Sequence, residues 1–313
     1  MPTYLAPGVY VEEVPSGARP IEAVGTSTAA FFGVAPDPTA APRVPTAVTS
    51  YSAFERIFAP GAAAASVLAT AVAGFFVNGG SLCYVVNLGA KATTIKPADL
   101  LLLDAIDGIS LVAAPGYADS ASCEALVGDC ERRGDRFAIL DTPAAIDPLD
   151  RLTRAANERD GLRPRQSERG LAAVYVPWIL TDDAVTGDRV AQPPSGHLAG
   201  LFARTDAERG VHKAPANTAL RGALGLTRAI SATEQEQLNP LGINCIRSFA
   251  DGIRVWGART LADSASEWRY VPVRRLVTMI AQSVQRGTRW VVFEPNDLTL
   301  WKSIRRDIDA FLN

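Results

Sequence analysis

Ser195-Gly196-His197 places a hydroxyl two residues from an imidazole, the two groups that nucleophilic acyl transfer requires. Nearness along the chain is not triad geometry, however, and nothing in the local sequence completes it. The other histidine, His212, lies in Arg209-Gly210-Val211-His212-Lys213 and reads as a hydrogen-bonding loop residue. Neither histidine stands in HExxH or another metal-ligand spacing. Asp104 with Asp107 and Asp182 with Asp183 are paired carboxylates of the kind used in acid–base work, but such pairs in loops are ordinarily solvated or cap helices. Arg221-Gly222-Ala223-Leu224-Gly225 has two glycines at a spacing that matches neither GxGxxG nor the P-loop, and helix packing accounts for them better. Cys83, Cys123, Cys130 and Cys245 form no CxxC pair. Cys123 and Cys130 lie seven apart in an expected helix, about 10 Å along its axis, too far for a disulfide. Four reduced, buried thiols are expected. No catalytic residue, cofactor or metal ligand follows from these patterns.

The elements that would carry any such chemistry are ordinary globular ones. Of 313 residues, 48% are hydrophobic and 20% charged, and the net charge is -2. That composition supports a sizeable core and argues against a dedicated nucleic-acid binder. No secretory leader pattern opens the chain. The Ala-rich stretch from Ala62 to Val77 is interrupted by Ser66, Thr70 and Gly74 and reads as a buried helix rather than a membrane span.

Pro7, Pro15 and Pro20 forbid a long helix at the start, while Val9-Tyr10-Val11-Glu12-Glu13-Val14 has strand composition and no local partner. Such a strand needs a sheet edge elsewhere, in its own subunit or another. Thr28–Ala35, Val48–Tyr51, Cys83–Leu88 and Ala172–Val176 read as strands, with Ser52 as the cap of a helix through Phe58. Residues 109–141 read as strand, helix, strand, with Gly134 closing the helix, which implies a parallel βαβ pairing. Residues 142–170, with arginines at 151, 154, 163, 165 and 169, read as an irregular charged surface. Residues 181–196 read as a polar loop and His197–Arg204 as a helix. Ser231 with Glu234 matches a capping box, Asp251-Gly252 a hairpin, and Pro272 a helix start. Arg289–Phe293 reads as a strand, followed by a helix capped by Asn296 or Asp297. The expected class is α/β (α+β mixed): a mixed β-sheet core flanked by helices, with an extended N-terminal arm for strand exchange between subunits.

Several ordered segments resemble one family. Tyr4-Leu5-Ala6-Pro7-Gly8-Val9-Tyr10-Val11-Glu12-Glu13 is similar to the N-terminus of phage tail sheath proteins, as is Arg19-Pro20-Ile21 leading into Gly25–Gly33. The resemblance continues through Phe75–Gly80, Tyr175-Val176-Pro177-Trp178, Pro194–His197 and Arg209–Asn217. It is densest in Leu238–Asn244, Gly252–Thr260, Trp268–Arg275 and Phe293-Glu294-Pro295-Asn296-Asp297. The compact chain most resembles sheaths of extracellular contractile injection systems or simple phage tails.

The resemblance implies a non-enzymatic structural subunit that polymerises helically around an inner tube and contracts to drive it through a target envelope. Implied partners are further copies of the chain, the inner tube protein, and baseplate and terminator or cap proteins, with no nucleic acid and no membrane insertion. The implied location is the producing bacterium's cytoplasm during assembly, then a virion tail or released particle. Residues 1–20 are expected as the arm, 21–95 and 171–313 as the sheath core, and 96–170 as the βαβ segment with its charged surface. In the family the chain runs on beyond the region matching Trp301–Leu312 to supply a second arm, so this form is expected not to build a stable sheath of native length. Leu298, Trp301, Ile304, Ile308 and Phe311 fall on one helical stripe, with Lys302, Arg305 and Arg306 beside it. These cations are expected to meet acidic groups on the tube, or else to form a plain solvated face. A static tail-tube or baseplate protein, and a Rossmann-like enzyme, are the alternative readings.

Overall fold

A computed structural model describes residues 20–61, 64–156, 158 and 160–313, so the expected strand at Val9–Val14 lies outside the described residues. Two compact units are present, one of residues 24–280 and one that joins residues 20–23 to 281–313.

In the larger unit the chain runs through β1 (Ala29–Gly33), β2 (Thr46–Val48), α1 (Tyr51–Phe58), α2 (Val67–Val77) and β3 (Cys83–Asn87). It continues as α3 (Pro97–Leu100), β4 (Leu111–Ala113), α4 (Ser120–Arg133), β5 (Phe137–Asp141) and β6 (Ala172–Val176). Next come β7 (Ile179–Asp182), β8 (Arg189–Gln192), α5 (Ser195–Arg209), β9 (Thr218–Ala219) and β10 (Gly225–Leu226), then α6 (Ala232–Leu238), β11 (Ile243–Phe249) and β12 (Gly252–Val255). A nine-stranded sheet has the order β2-β3-β1-β4-β5-β6-β11-β12-β9. Its six middle strands, β3 to β11, are parallel neighbours, with antiparallel partners at both ends. The expected βαβ unit is β4-α4-β5, paired Leu111↔Phe137 through Ala113↔Ile139.

The strands are apolar runs because both faces of the sheet are covered. Phe31, Val85, Ile139 and Tyr175 point into a core shared with Phe54, Phe75 and Phe202 of α1, α2 and α5. Phe32, Val86, Leu140 and Val174 point the other way, into a core with Leu100, Leu126 and Cys130. All four cysteines are free and buried. Helices α2 and α5 cross at close range through glycines. A Cβ on Gly196 would stand 2.5 Å from the Ala71 carbonyl oxygen, and one on Gly200 would stand 2.8 Å from Asn78 Cβ and nearer still to the Phe75 carbonyl.

A buried ion pair ties the end of α5 to the start of α7 (Val271–Gly287). Arg275 donates from Nη1 and Nη2 to Asp206 at 2.9 and 2.6 Å, and from Nη2 to the Thr26 carbonyl at 2.9 Å. The Thr26 hydroxyl donates to the same carboxylate at 2.6 Å, and the guanidinium lies 4.9 Å from the Phe202 ring centroid.

Local expectations hold at α4, which closes on Gly134 in the left-handed conformation, and at α6, where Ser231 and Glu234 form the capping box. Four need correction. The strand expected at Val48–Tyr51 is β2 at Thr46–Val48, and Tyr51 instead opens α1. Ser50, not Ser52, caps α1, its hydroxyl accepting from Ala53 N–H at 3.1 Å. The polar loop at 181–196 is in part a hairpin, β7 with β8, paired from Ile179↔Gln192 to Asp182↔Arg189. Its turn is organised by Asp183, which accepts N–H bonds from Val185 and Thr186. Arg289–Phe293 is a 3-10 turn, because its β-branched residues find no neighbouring strand and tertiary context overrides propensity.

The smaller unit holds the end of α7, that 3-10 turn and α8 (Leu298–Leu312). Ile21 packs on Gly287, where a Cβ would come within 2.8 Å of Ile21 Cγ1. Asp297 supplies the α8 cap, accepting from Leu300 N–H at 2.8 Å.

Candidate assembly surface

Helix α8 presents its cations outward. Lys302, Arg305 and Arg306 are all exposed. Arg306 is engaged, donating to Asp307 at 3.1 Å and to the Ser303 hydroxyl at 3.2 Å. Lys302 and Arg305 have no ion-pair partner among the described residues. The apolar stripe beside them is split. Ile304, Ile308 and Phe311 are half-buried, but Leu298 is 61% and Trp301 56% exposed, with the Trp301 indole N–H donating to Asn296 at 2.7 Å. Just before the helix, Phe293 is 96% and Val292 71% exposed. This protruding pair was hidden in the sequence by a pattern that reads as a strand. The surface thus combines unpaired cations with exposed apolar side chains, a combination suited to a partner rather than to a reaction.

The groups with chemical potential in the larger unit are committed elsewhere. Ser195 donates its hydroxyl to Asp141 at 2.6 Å, not to His197. Asp141, at the end of β5, also accepts N–H bonds from Ser195 at 3.0 Å and Gly116 at 3.2 Å. Burial nevertheless pushes its carboxyl up to about 7, against those three donors. His197 is 2% exposed and packs on Gly74, and burial drops its pKa to about 4. Asp104 pairs with Arg132 and Arg133 at 3.0 and 3.1 Å. Burial alone would raise the Asp183 carboxyl, but bonds from Thr186 and Val185 N–H and the Thr70 hydroxyl hold it below the usual range. Arg165 bridges Glu124 and Glu131 of α4 at 2.5 and 2.8 Å. An open groove of about 620 Å³ lies outside the carboxyl ends of β1 and β4, where strand order reverses and α/β folds often bind ligands. Three of its polar side chains serve the fold. Ser66 donates to the Val34 carbonyl at 3.3 Å, Tyr117 to Ala92 at 3.1 Å and Trp178 to Thr142 at 2.7 Å. Among the described residues no cluster of three or more His, Cys, Asp or Glu could hold a metal, and no helix is long and apolar enough to cross a membrane.

Residues 96–261, just over half of the chain, match the phage tail sheath protein central domain. The chain belongs to the phage tail sheath family. A Pseudomonas aeruginosa (strain UCBPP-PA14) prophage protein described as a major tail sheath protein is 29% identical over 211 residues, 64% of this chain and 51% of that one. The chain therefore matches only about half the length of this sheath relative. Among solved structures, a chain of the PVC sheath complex of an extracellular contractile injection system, in its contracted state, is 29% identical. That match covers 100% of this chain and 82% of the other, with a TM-score of 0.78. The helical sheath of the anti-feeding prophage in its contracted state matches at 30% identity and a TM-score of 0.77, over 99% of this chain and 83% of that one. Sheath-family membership accords with a mixed sheet whose buried polar groups are spent on holding helices to strands.

Proposed function

We propose that this chain is a structural subunit of a contractile tail sheath, polymerising helically around an inner tube and contracting to drive the tube through a target envelope. The carrying observation is the likeness, over the whole chain, to a subunit of a contracted sheath. The role is mechanical and needs no catalysis. Energy would be stored as a packing difference between two lattice states of one repeated contact. A head-to-tail contact that does not close generates the required open helix. Further copies and the baseplate are proposed partners, as are a tube protein and a terminator or cap. Assembly is assigned to the producing cell's cytoplasm, and function to a tail or released particle.

Two surfaces are assigned roles. Residues Val9–Val14 add as a strand to a neighbouring copy, where main-chain hydrogen bonds at about 1 kcal/mol net each let the link persist through rearrangement. Lys302, Arg305 and Arg306 face acidic groups on the tube. Exposed ion pairs of this kind are weak and salt-screened, which suits a surface that must release during contraction. The test is electron microscopy of the protein mixed with its tube partner. Ordered sheath segments, shorter than native length, are expected. A lattice with only one state would favour a static tube or baseplate protein, and dispersed subunits would overturn the reading.

A further inference from the structure

Elsewhere on the larger unit, a pocket of about 300 Å³ opens beside the end of β3, lined by Arg43, Lys91, Thr93, Thr94, Lys96 and Asp99. We infer that this pocket binds an oxyanion, supplied either as a free phosphate-class ion or as a carboxylate of a second copy of the chain.

The charge balance is the first argument. Other arginine clusters in this unit are matched by acids: Arg132 and Arg133 by Asp104, Asp129 and Asp135, and Arg165 by Glu124 and Glu131. Here three cationic residues line one pocket that holds a single carboxylate. Asp99 is itself buried, and it is spent on Arg43 at 2.7 Å and on the Lys96 backbone N–H at 2.8 Å. Lys91 and Lys96 are exposed and have no ion-pair partner among the described residues. The chain has only four lysines, and two of them line this pocket. Like charges gathered in one concavity repel, and an anion relieves that repulsion.

Pre-organisation is the second argument. The loop carrying Arg43 is tied to fully buried Asn87, whose amide donates to the carbonyls of Asp37 at 3.2 Å and Ala40 at 2.7 Å. Arg43 N–H in turn donates to the Asn87 carbonyl at 2.7 Å. Ala41 and Arg43 both hold positive φ, 42° and 59°, a conformation that side chains other than glycine adopt at a cost. Such strain is commonly found at ligand clamps. The guanidinium is thus fixed before any ligand arrives, half-exposed, with N–H groups left over after Asp99. The Thr93 and Thr94 hydroxyls add donors that suit an oxyanion.

The test titrates the full chain with inorganic pyrophosphate by calorimetry, against sodium chloride at matched ionic strength. One-to-one binding is expected, weakened by at least about tenfold in the double variant Lys91→Gln, Lys96→Gln. Both ammonium groups are exposed, so this variant should melt like wild type without ligand. Arg43 is left intact because removing it would strand the buried Asp99. A second arm adds pyrophosphate during assembly with the tube partner. Slowed assembly assigns the oxyanion to a neighbouring copy, and unaffected assembly assigns it to a free ion; each supports the site. No binding beyond chloride, or equal affinity in the double variant, overturns it.

Discussion

Replacing Arg275 with Met should be among the most damaging single changes in this protein. The Arg275 side chain is 4% exposed and that of Asp206 6%, so both charges are almost wholly withdrawn from water. In the wild type the guanidinium answers both carboxylate oxygens, at 2.9 and 2.6 Å. Methionine fills a similar volume over the Phe202 ring but donates nothing. Asp206 is then left with the Thr26 hydroxyl at 2.6 Å, and the Thr26 carbonyl loses its donor. Breaking a buried pair from one side costs about 3–5 kcal/mol, a large share of a typical 5–15 kcal/mol of total stability. With a urea slope of about 3 kcal/mol per molar, the midpoint should fall by roughly 1 M or more at unchanged slope. The double variant Arg275→Met, Asp206→Leu removes both charges and should recover much of the loss, which a thermodynamic cycle would quantify. If Arg275→Met alone shifts stability by less than about 1 kcal/mol, Asp206 is not the dehydrated partner described here, and the reasoning fails.

Other outcomes follow from the same physical terms. Asp141 is raised to about 7 from 3.8, so it weakens the fold above pH 7 and that penalty is relieved as pH falls toward 3.8. Wild type should therefore gain up to about 4 kcal/mol relative to Asp141→Asn on going from about pH 8 to about pH 4, and a pH-independent difference would refute this. His197, lowered from 6.5 to about 4, acts in the opposite sense. Its contribution is present above pH 6.5 and is lost, by up to about 3 kcal/mol, as pH falls to about 4, so His197→Gln should flatten the acid limb of a denaturation series. Gly200→Ala should cost about 1–3 kcal/mol by forcing α2 from α5, read as a lowered melting temperature. Reversing charge at Lys302 and Arg305, with Arg306 left to pair with buried Asp307, should leave the unassembled chain's melting within about 1 kcal/mol of wild type yet abolish tube-templated sheath, whereas normal sheath in micrographs would remove α8 as the tube contact.

How far the fold could be read in advance depended on whether an element's reason lay in its own residues. Apolar runs such as Ala29–Gly33 and Ala172–Val176 declare buried strands because both faces must be covered, and the Ser231–Glu234 capping box carries its partners three residues apart. The turn at Arg289–Phe293 has strand-forming residues and no strand beside it, and pairing is a non-local fact that propensity does not contain. The hairpin at 179–192 was masked by polar residues whose alternation was too short to register. The buried polar groups were least legible, and for one reason. Asp141 and Ser195 lie 54 residues apart, and Asp206 and Arg275 lie 69 apart. Each member alone looks like a surface residue, and only the sheet order brings the partners together. The same logic governs what was read as chemistry. Ser195 stands beside His197 in sequence, yet one turn of α5 sends the serine to a strand-end carboxylate and the histidine into the glycine-lined contact with α2. A hydroxyl, an acid and an imidazole all lie near that helix start, but the hydroxyl and the acid bond each other while the imidazole faces Gly74. What looked like reactive groups fasten α5 to the end of β5 and to α2 within the larger unit.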